Sequence, residues 1–346
     1  TQSNRRTYIM QVKASEATKM IEGFIQARLV PLIIGSPGIG KSDIVRQIAK
    51  KFNLQVIDLR LSQCDPCDLA GFPSIVNGKA DYAPMKHFPI EGDPIPKGMD
   101  GWLLFLDEIT SAAPSIQAAS YKLILDRMVG SHHLHKNVAI VAAGNRDTDN
   151  AIVQPMSTAL QSRLVHLDLM IDYKEWCIWA TEANLTHKII DYIRFKPQSL
   201  YTFKPDHSDK TYACPRTWEF ADRIIKKVGL DYELIPQMLA GTLSEGVARE
   251  FLTYCKIYAD LPKMTDIIDN PTGVTMSKEP SVLYALTGAI SNTVSMENFE
   301  KVFMFVERMP AEFQIITLKN TLHRNPTIDK HPSMGKWYQK LATSLI

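Results

Sequence analysis

Gly35-Ser-Pro-Gly-Ile-Gly-Lys-Ser42 sets three glycines, a lysine and a hydroxyl in the pattern G-x-x-x-x-G-K-[ST]. These residue types suit a phosphate. Glycine lets the backbone curl around phosphate oxygens with no Cβ in the way, and N–H groups at a helix N-terminus attract negative charge. On this reading Gly35, Ser36, Pro37, Gly38, Ile39 and Gly40 form the cradle of an ATP or ADP site. Lys41 reaches the β- and γ-phosphates, and the Ser42 hydroxyl ligates Mg²⁺. A chance match occurs in about one chain in a hundred of this length. An apolar run before it and an amphipathic run after it make chance rarer still.

Two further strand-like runs end in polar groups. Leu103-Leu-Phe-Leu-Asp-Glu108 is apolar up to a pair of acids. Asp107 would complete the Mg²⁺ shell, and Glu108 would orient and polarise an attacking water. Ala139-Ile-Val-Ala-Ala-Gly-Asn145 ends in an amide that can donate to a γ-phosphate or to that water, although an Asn at such a place also caps turns. Arg146 beside it reads equally as a phosphate ligand or a surface residue.

Such groups meet only if a scaffold aligns the ends of these runs. Leu29–Ile34, Leu54–Leu59, Trp102–Leu106 and Val138–Ala143 read as strands, the last two of the fully buried kind. Val45, Ile48, Ala49 and Phe52 give one helical stripe; Ile116, Ala119, Leu123 and Ile124 give another, with Pro114 in its first turn. Strands separated by helices predict a parallel sheet covered on both faces, with ligands in the crevice at the strands' carboxyl ends. After Met170 the pattern turns helical. Ala221, Ile224, Ile225 and Val228 form one stripe, Phe251, Tyr254, Cys255 and Tyr258 a second, and Phe299, Val302, Phe303 and Val306 a third. The expected division is an α/β nucleotide-binding domain over 1–172, a helical lid over 173–262 and a helical extension over 263–346. Residues 60–101, rich in proline and glycine, are expected to be a long irregular functional loop.

Gly35–Ser42, Leu103–Glu108, Ala143-Gly-Asn-Arg146 and Ala159-Leu-Gln-Ser-Arg-Leu164 together resemble an AAA+ ATPase of the MoxR type, bacterial or phage-borne. Asp65-Pro-Cys-Asp-Leu-Ala-Gly71 and Ala213-Cys-Pro-Arg-Thr217 resemble further segments of that group, and the likeness spans roughly residues 20–260. The resemblance implies that Lys41 and Ser42 belong to Walker A, Asp107 and Glu108 to Walker B, and Asn145 to sensor 1. It also implies that Arg163 is the arginine finger given to a neighbouring subunit, with Arg146 as the substitute, and that Arg216 is sensor 2 of the lid. A homo-oligomeric ring, expected to be a hexamer, follows from it. So do a remodelling, chaperone-like activity on a protein substrate and a partner with a von Willebrand type A domain. The pore of that ring would be approached by the hairpin around His132, His133 and His135, and by the 79–101 insertion with Met85-Lys-His-Phe88.

Composition narrows the alternatives. The 346 residues are 45% hydrophobic and 22% charged, enough for a sizeable core and too few charges for a disordered chain. Lys plus Arg number 39 against 37 Asp plus Glu, so the net charge of +2 argues against a DNA-coating protein. A nucleic-acid motor stays as an alternative, as does a P-loop kinase. Glu108 beside Asp107, with Arg163 and a separate lid, favours hydrolysis over transfer. The five cysteines include one C-x-x-C, Cys64 and Cys67, without a second pair, so no zinc site is expected; the three histidines read as a solvated hairpin. Reduced thiols, and no apolar run near the ~20 residues that cross a bilayer, predict a cytoplasmic protein away from membranes.

Overall fold

The computed structural model describes residues 11–149, 153–206, 209–259 and 261–343. They divide into two compact units. One ends at Asp172 and takes back a short segment beginning at Lys204; the other holds Tyr173–Phe203 and the chain from Asp209 onward.

The first unit begins with β1 (Gln11–Val12), α1 (Ala14–Gln26), β2 (Pro31–Ile34), α2 (Lys41–Lys51) and β3 (Leu54–Arg60). A short helix α3 (Pro66–Ala70) and a hairpin of β4 (Phe72–Val76) and β5 (Lys79–Ala83) follow. Then come β6 (Gly101–Asp107), α4 (Pro114–Leu125) and a small hairpin of β7 (Met128–Val129) and β8 (His132–His133). The unit closes with β9 (Val138–Gly144), α5 (Thr158–Gln161) and β10 (Val165–Leu169). Six strands make one sheet in the order β1-β10-β2-β9-β6-β3, and every pairing is parallel.

Both faces of this sheet are covered, which is why its central strands read as unbroken apolar runs. Leu32, Leu104, Leu106, Ile140 and Ala142 pack with Ile116, Leu123 and Ile124 of α4. Their chain neighbours Ile33, Leu103, Phe105, Val141 and Ala143 point the other way, onto Ala17 and Ile21 of α1 and Ile44, Val45 and Ile48 of α2. Gly101–Leu106 is buried throughout, and only Asp107 at the end of β6 emerges.

Two features differ from the sequence expectation. Residues 60–101 are not an irregular loop from end to end. They hold a 3-10 turn at Leu61–Gln63, helix α3 and the β4–β5 hairpin, whose turn residues Asn77 and Gly78 both have positive φ. Asn-Gly between two five-residue runs is the hairpin signal, since such a turn twists with its strands. The sheet also gains β1 and β10 beyond the four strands expected. Both are short and mixed in polarity, so neither announces itself as a buried run.

The second unit is helical: α6 (Tyr173–Glu182), α7 (His187–Phe195), α8 (Pro215–Val228), α9 (Ile235–Leu243) and α10 (Glu245–Ala259). It continues with α11 (Met264–Asp269), α12 (Pro280–Thr293), α13 (Phe299–Val306), α14 (Ala311–Arg324) and α15 (Met334–Thr343). The aromatic stripe of α13 is core: Phe299, Val302, Phe303 and Val306 are fully buried with Leu286, Ile290 and Phe313.

His187 on α7 packs beside Tyr258 and is pulled down to about 4 by burial, with Arg324 and Lys188 adding repulsion. The unfolded chain takes up this proton near 6.5, which the folded chain resists, so stability is full above that pH and falls as pH drops toward 4. Allowing for a partly exposed ring, the loss should be roughly 2 kcal/mol. Urea unfolding of the full chain at pH 7 and pH 4 should show that much more acid sensitivity in the parent than in His187→Phe. Equal sensitivity would remove His187 as the cause.

Candidate phosphate site

The register of the sheet brings the chemistry-bearing residues to one edge. Ile34 pairs with Gly144 and with Asp168, and Arg60 with Asp107, so the chain leaves β2, β9, β10, β3 and β6 at the same carboxyl end. Gly35 to Gly40 follow β2 directly. Gly38 and Gly40 have φ of 77° and 97°, a region that side-chain-bearing residues resist. Gly40 stands at the N-cap of α2 and, as glycine, supplies no side-chain hydrogen bond to the first N–H groups of the helix.

Lys41 Nζ donates to the carbonyls of Gly35 at 2.6 Å and Ser36 at 3.0 Å, and to Asn145 Oδ1 at 3.0 Å. The loop, the lysine and the end of β9 are therefore one cluster. Ser42 Oγ lies 3.5 Å from Asp107 Oδ2. The other Asp107 oxygen accepts from the Glu108 amide at 2.9 Å, which leaves Oδ2 turned to Ser42. Burial pushes the Asp107 carboxyl above its usual range; Asp58 and Glu108 push it the same way, while the Glu108 amide and Lys41 oppose them. A hydroxyl and a half-buried carboxylate are hard oxygen donors that suit Mg²⁺ completed by phosphate oxygens.

Glu108 adopts the left-handed conformation, φ 57°, directly after the strand. Non-glycine residues held there cost of order 1–3 kcal/mol and gather at functional sites. Its carboxylate accepts a hydrogen bond from the Ser62 hydroxyl. The Asn145 backbone N–H donates to Thr110 Oγ1 at 2.9 Å, and Thr110 is so close to Gly144 that a Cβ there would meet its methyl at 2.5 Å. Ser62 and Thr110 escaped the sequence reading. The available signal was positional: Ser62 lies just past the end of β3, beside β6, and Thr110 two residues past the acids.

The two more distant arginines behave differently. Arg163 is not brought to this crevice within its own chain. It precedes β10, whose first residue Val165 pairs with Pro31 at the start of β2, so Arg163 stands at the opposite end of the sheet. Its guanidinium donates to the Ala159 carbonyl and lies 5.5 Å over the Tyr121 ring, with Nε buried and unbonded. Among the described residues it forms no ion pair. Arg216 is the second residue of α8, in the helical unit.

Residues 31–164 match the family model of the AAA domain, dynein-related subfamily. No curated protein sequence matches the chain. Among solved structures, the replication initiator DnaA bound to AMPPCP and single-stranded DNA is 15% identical; the match covers 97% of this chain and 96% of that one at a TM-score of 0.38. NtrX from Brucella abortus is 13% identical over 97% of this chain and 69% of that chain, with the same TM-score. A Thermotoga maritima RuvB variant is 15% identical over 84% and 83%, also at 0.38.

Proposed function

We propose, from an AAA domain over residues 31–164 on an AAA+ P-loop NTPase fold with a helical C-terminal region, that this chain is a ring-forming, ATP-hydrolysing remodelling ATPase of the MoxR type. The observation that carries the reading is the meeting of Lys41, Ser42, Asp107, Glu108 and Asn145 at the carboxyl ends of β2, β6 and β9. In this reading Lys41 holds the β- and γ-phosphates, and Asn145 keeps Lys41 and the γ-phosphate aligned. Ser42 and Asp107 would hold Mg²⁺, which neutralises phosphate charge when bound. Glu108 orients the attacking water and takes its proton.

Arg163 fits a role in trans: it stands at the far end of its own sheet and has no carboxylate partner among the described residues. Given to a neighbour's γ-phosphate, it would make hydrolysis depend on assembly. Arg216 is assigned to a lid over 173–262 that senses the nucleotide, with 263–346 as an extension. A hexameric ring, a protein substrate and a partner bearing a von Willebrand type A domain complete the proposal.

Phosphate release per subunit with Mg²⁺ and ATP, measured across a dilution series, tests it. The specific rate should rise steeply with protein concentration. Absence of phosphate release at every concentration would end the ATPase reading. A constant rate from a chain that remains monomeric by mass would keep hydrolysis and remove the trans role of Arg163.

A further inference from the structure

The nucleotide chemistry leaves one charged group of the crevice without a task. Arg146 follows Asn145 at the end of β9, and its guanidinium is fully engaged within its own chain. Nε and NH2 donate to Asp168 Oδ1 on β10 at 2.9 and 2.6 Å, and NH2 also reaches the Leu169 carbonyl at 2.8 Å. NH1 donates to the hydroxyl of Ser36, inside the phosphate loop, at 3.2 Å. The ion pair is shielded, with side chains only 25% and 20% exposed.

Ser36 is thus held by two cations from two sides. Its carbonyl accepts from Lys41 and its hydroxyl from Arg146, and the residue is 5% exposed. The loop is also seated on the strand that Arg146 straps down. A Cβ on Gly35 would lie 3.3 Å from the Leu169 carbonyl, the same oxygen that Arg146 engages. The Gly35 amide donates to the Gly144 carbonyl at 3.2 Å, which ties the loop to β9 as well.

We propose that Arg146 is a positioning residue for the phosphate loop. It acts in its own chain, fixing Ser36 against the ends of β9 and β10 and neutralising Asp168 beside the phosphates, and it is not a guanidinium lent to a neighbouring subunit. This rests on the nucleotide-binding reading of the loop. Removing Arg146 would release the Ser36 hydroxyl and leave the Asp168 carboxylate uncompensated, where it repels a polyphosphate.

The test is the affinity of a fluorescent ADP and the kcat and KM of phosphate release, for the parent chain, Arg146→Ala, Arg146→Lys, Asp168→Ala and the double Ala variant. Arg146→Ala should weaken ADP binding on the order of 10-fold, the worth of charge-assisted hydrogen bonds, and raise KM far more than it lowers kcat. Adding Asp168→Ala should return part of the affinity, because the repelling charge goes with it. Arg146→Lys keeps the charge and should fall between; it carries the test if the alanine variant does not fold. Parent-like ADP affinity in Arg146→Ala would overturn the inference. So would turnover restored by mixing Arg146→Ala with Lys41→Ala subunits, which bring an intact Arg146 from next door. A parent chain that binds no ADP would instead overturn the nucleotide reading itself.

Discussion

Glu108→Gln is expected to bind ATP as tightly as the parent chain and to release phosphate about 10²–10⁴-fold more slowly. The substitution is nearly isosteric. A glutamine oxygen still accepts the Ser62 hydrogen bond, and the left-handed backbone at 108 is unchanged. What is lost is the basic carboxylate that, in the proposed mechanism, receives a proton from water. Lys41→Ala should give the opposite result, with binding lost, because its ammonium joins Gly35, Ser36 and Asn145 where the phosphates would sit. Filter binding with radiolabelled ATP and single-turnover phosphate release separate the two. Parent-like turnover in Glu108→Gln would take Glu108 out of the chemistry. Loss of binding in that variant would make its role one of loop structure.

Arg324→Ala is expected to destabilise the helical unit by about 3–5 kcal/mol, the cost of breaking a buried ion pair from one side. Asp191 on α7 is 3% exposed, and Arg324 on α14 donates to its Oδ1 at 2.8 Å. The same guanidinium donates to the Gly288 carbonyl at 3.0 Å and to Asn292 on α12, so one side chain joins three helices. Burial drives the Asp191 carboxyl up, and Arg324 with Arg194 holds it down. Without Arg324 the carboxylate keeps, among the described residues, the ion pair with Arg194, 3.7 Å away. Gly288→Ala should also cost stability, since a Cβ there would lie 2.2 Å from Asp191 Oδ2. Urea unfolding followed by tryptophan fluorescence gives the shift. An unchanged midpoint in Arg324→Ala would show that the pair contributes nothing net, whereas recovery in Arg324→Met with Asp191→Leu would confirm that the isolated charge is the cause.

The glycine-rich loop of the candidate site was legible in the sequence because its pattern is local. Gly35 to Ser42 are consecutive, glycine's freedom at positive φ belongs to the residue itself, and the flanking strand and helix carry their own periodicity. Asp107, Glu108 and Asn145 were legible for a related reason. A buried parallel strand is an unbroken apolar run, so the first polar residue after it marks the edge of the sheet. The hairpin at Asn77-Gly78 was equally local, and was hidden only by the prolines around it.

The tertiary structure alone decided which of those strand ends stand together and what holds them there. Ser62 and Glu108 are 46 residues apart, Arg146 and Ser36 are 110 apart, and Asp191 and Arg324 are 133 apart. No short-range pattern encodes such pairs, because each partner is an ordinary polar residue until strand order and register set it opposite the other. Sequence determined that a glycine-rich segment of phosphate-loop pattern and two acids exist; only the β10-β2-β9-β6-β3 order made them one candidate site, set Arg163 at the far end of the sheet, and turned Arg146 inward to Asp168.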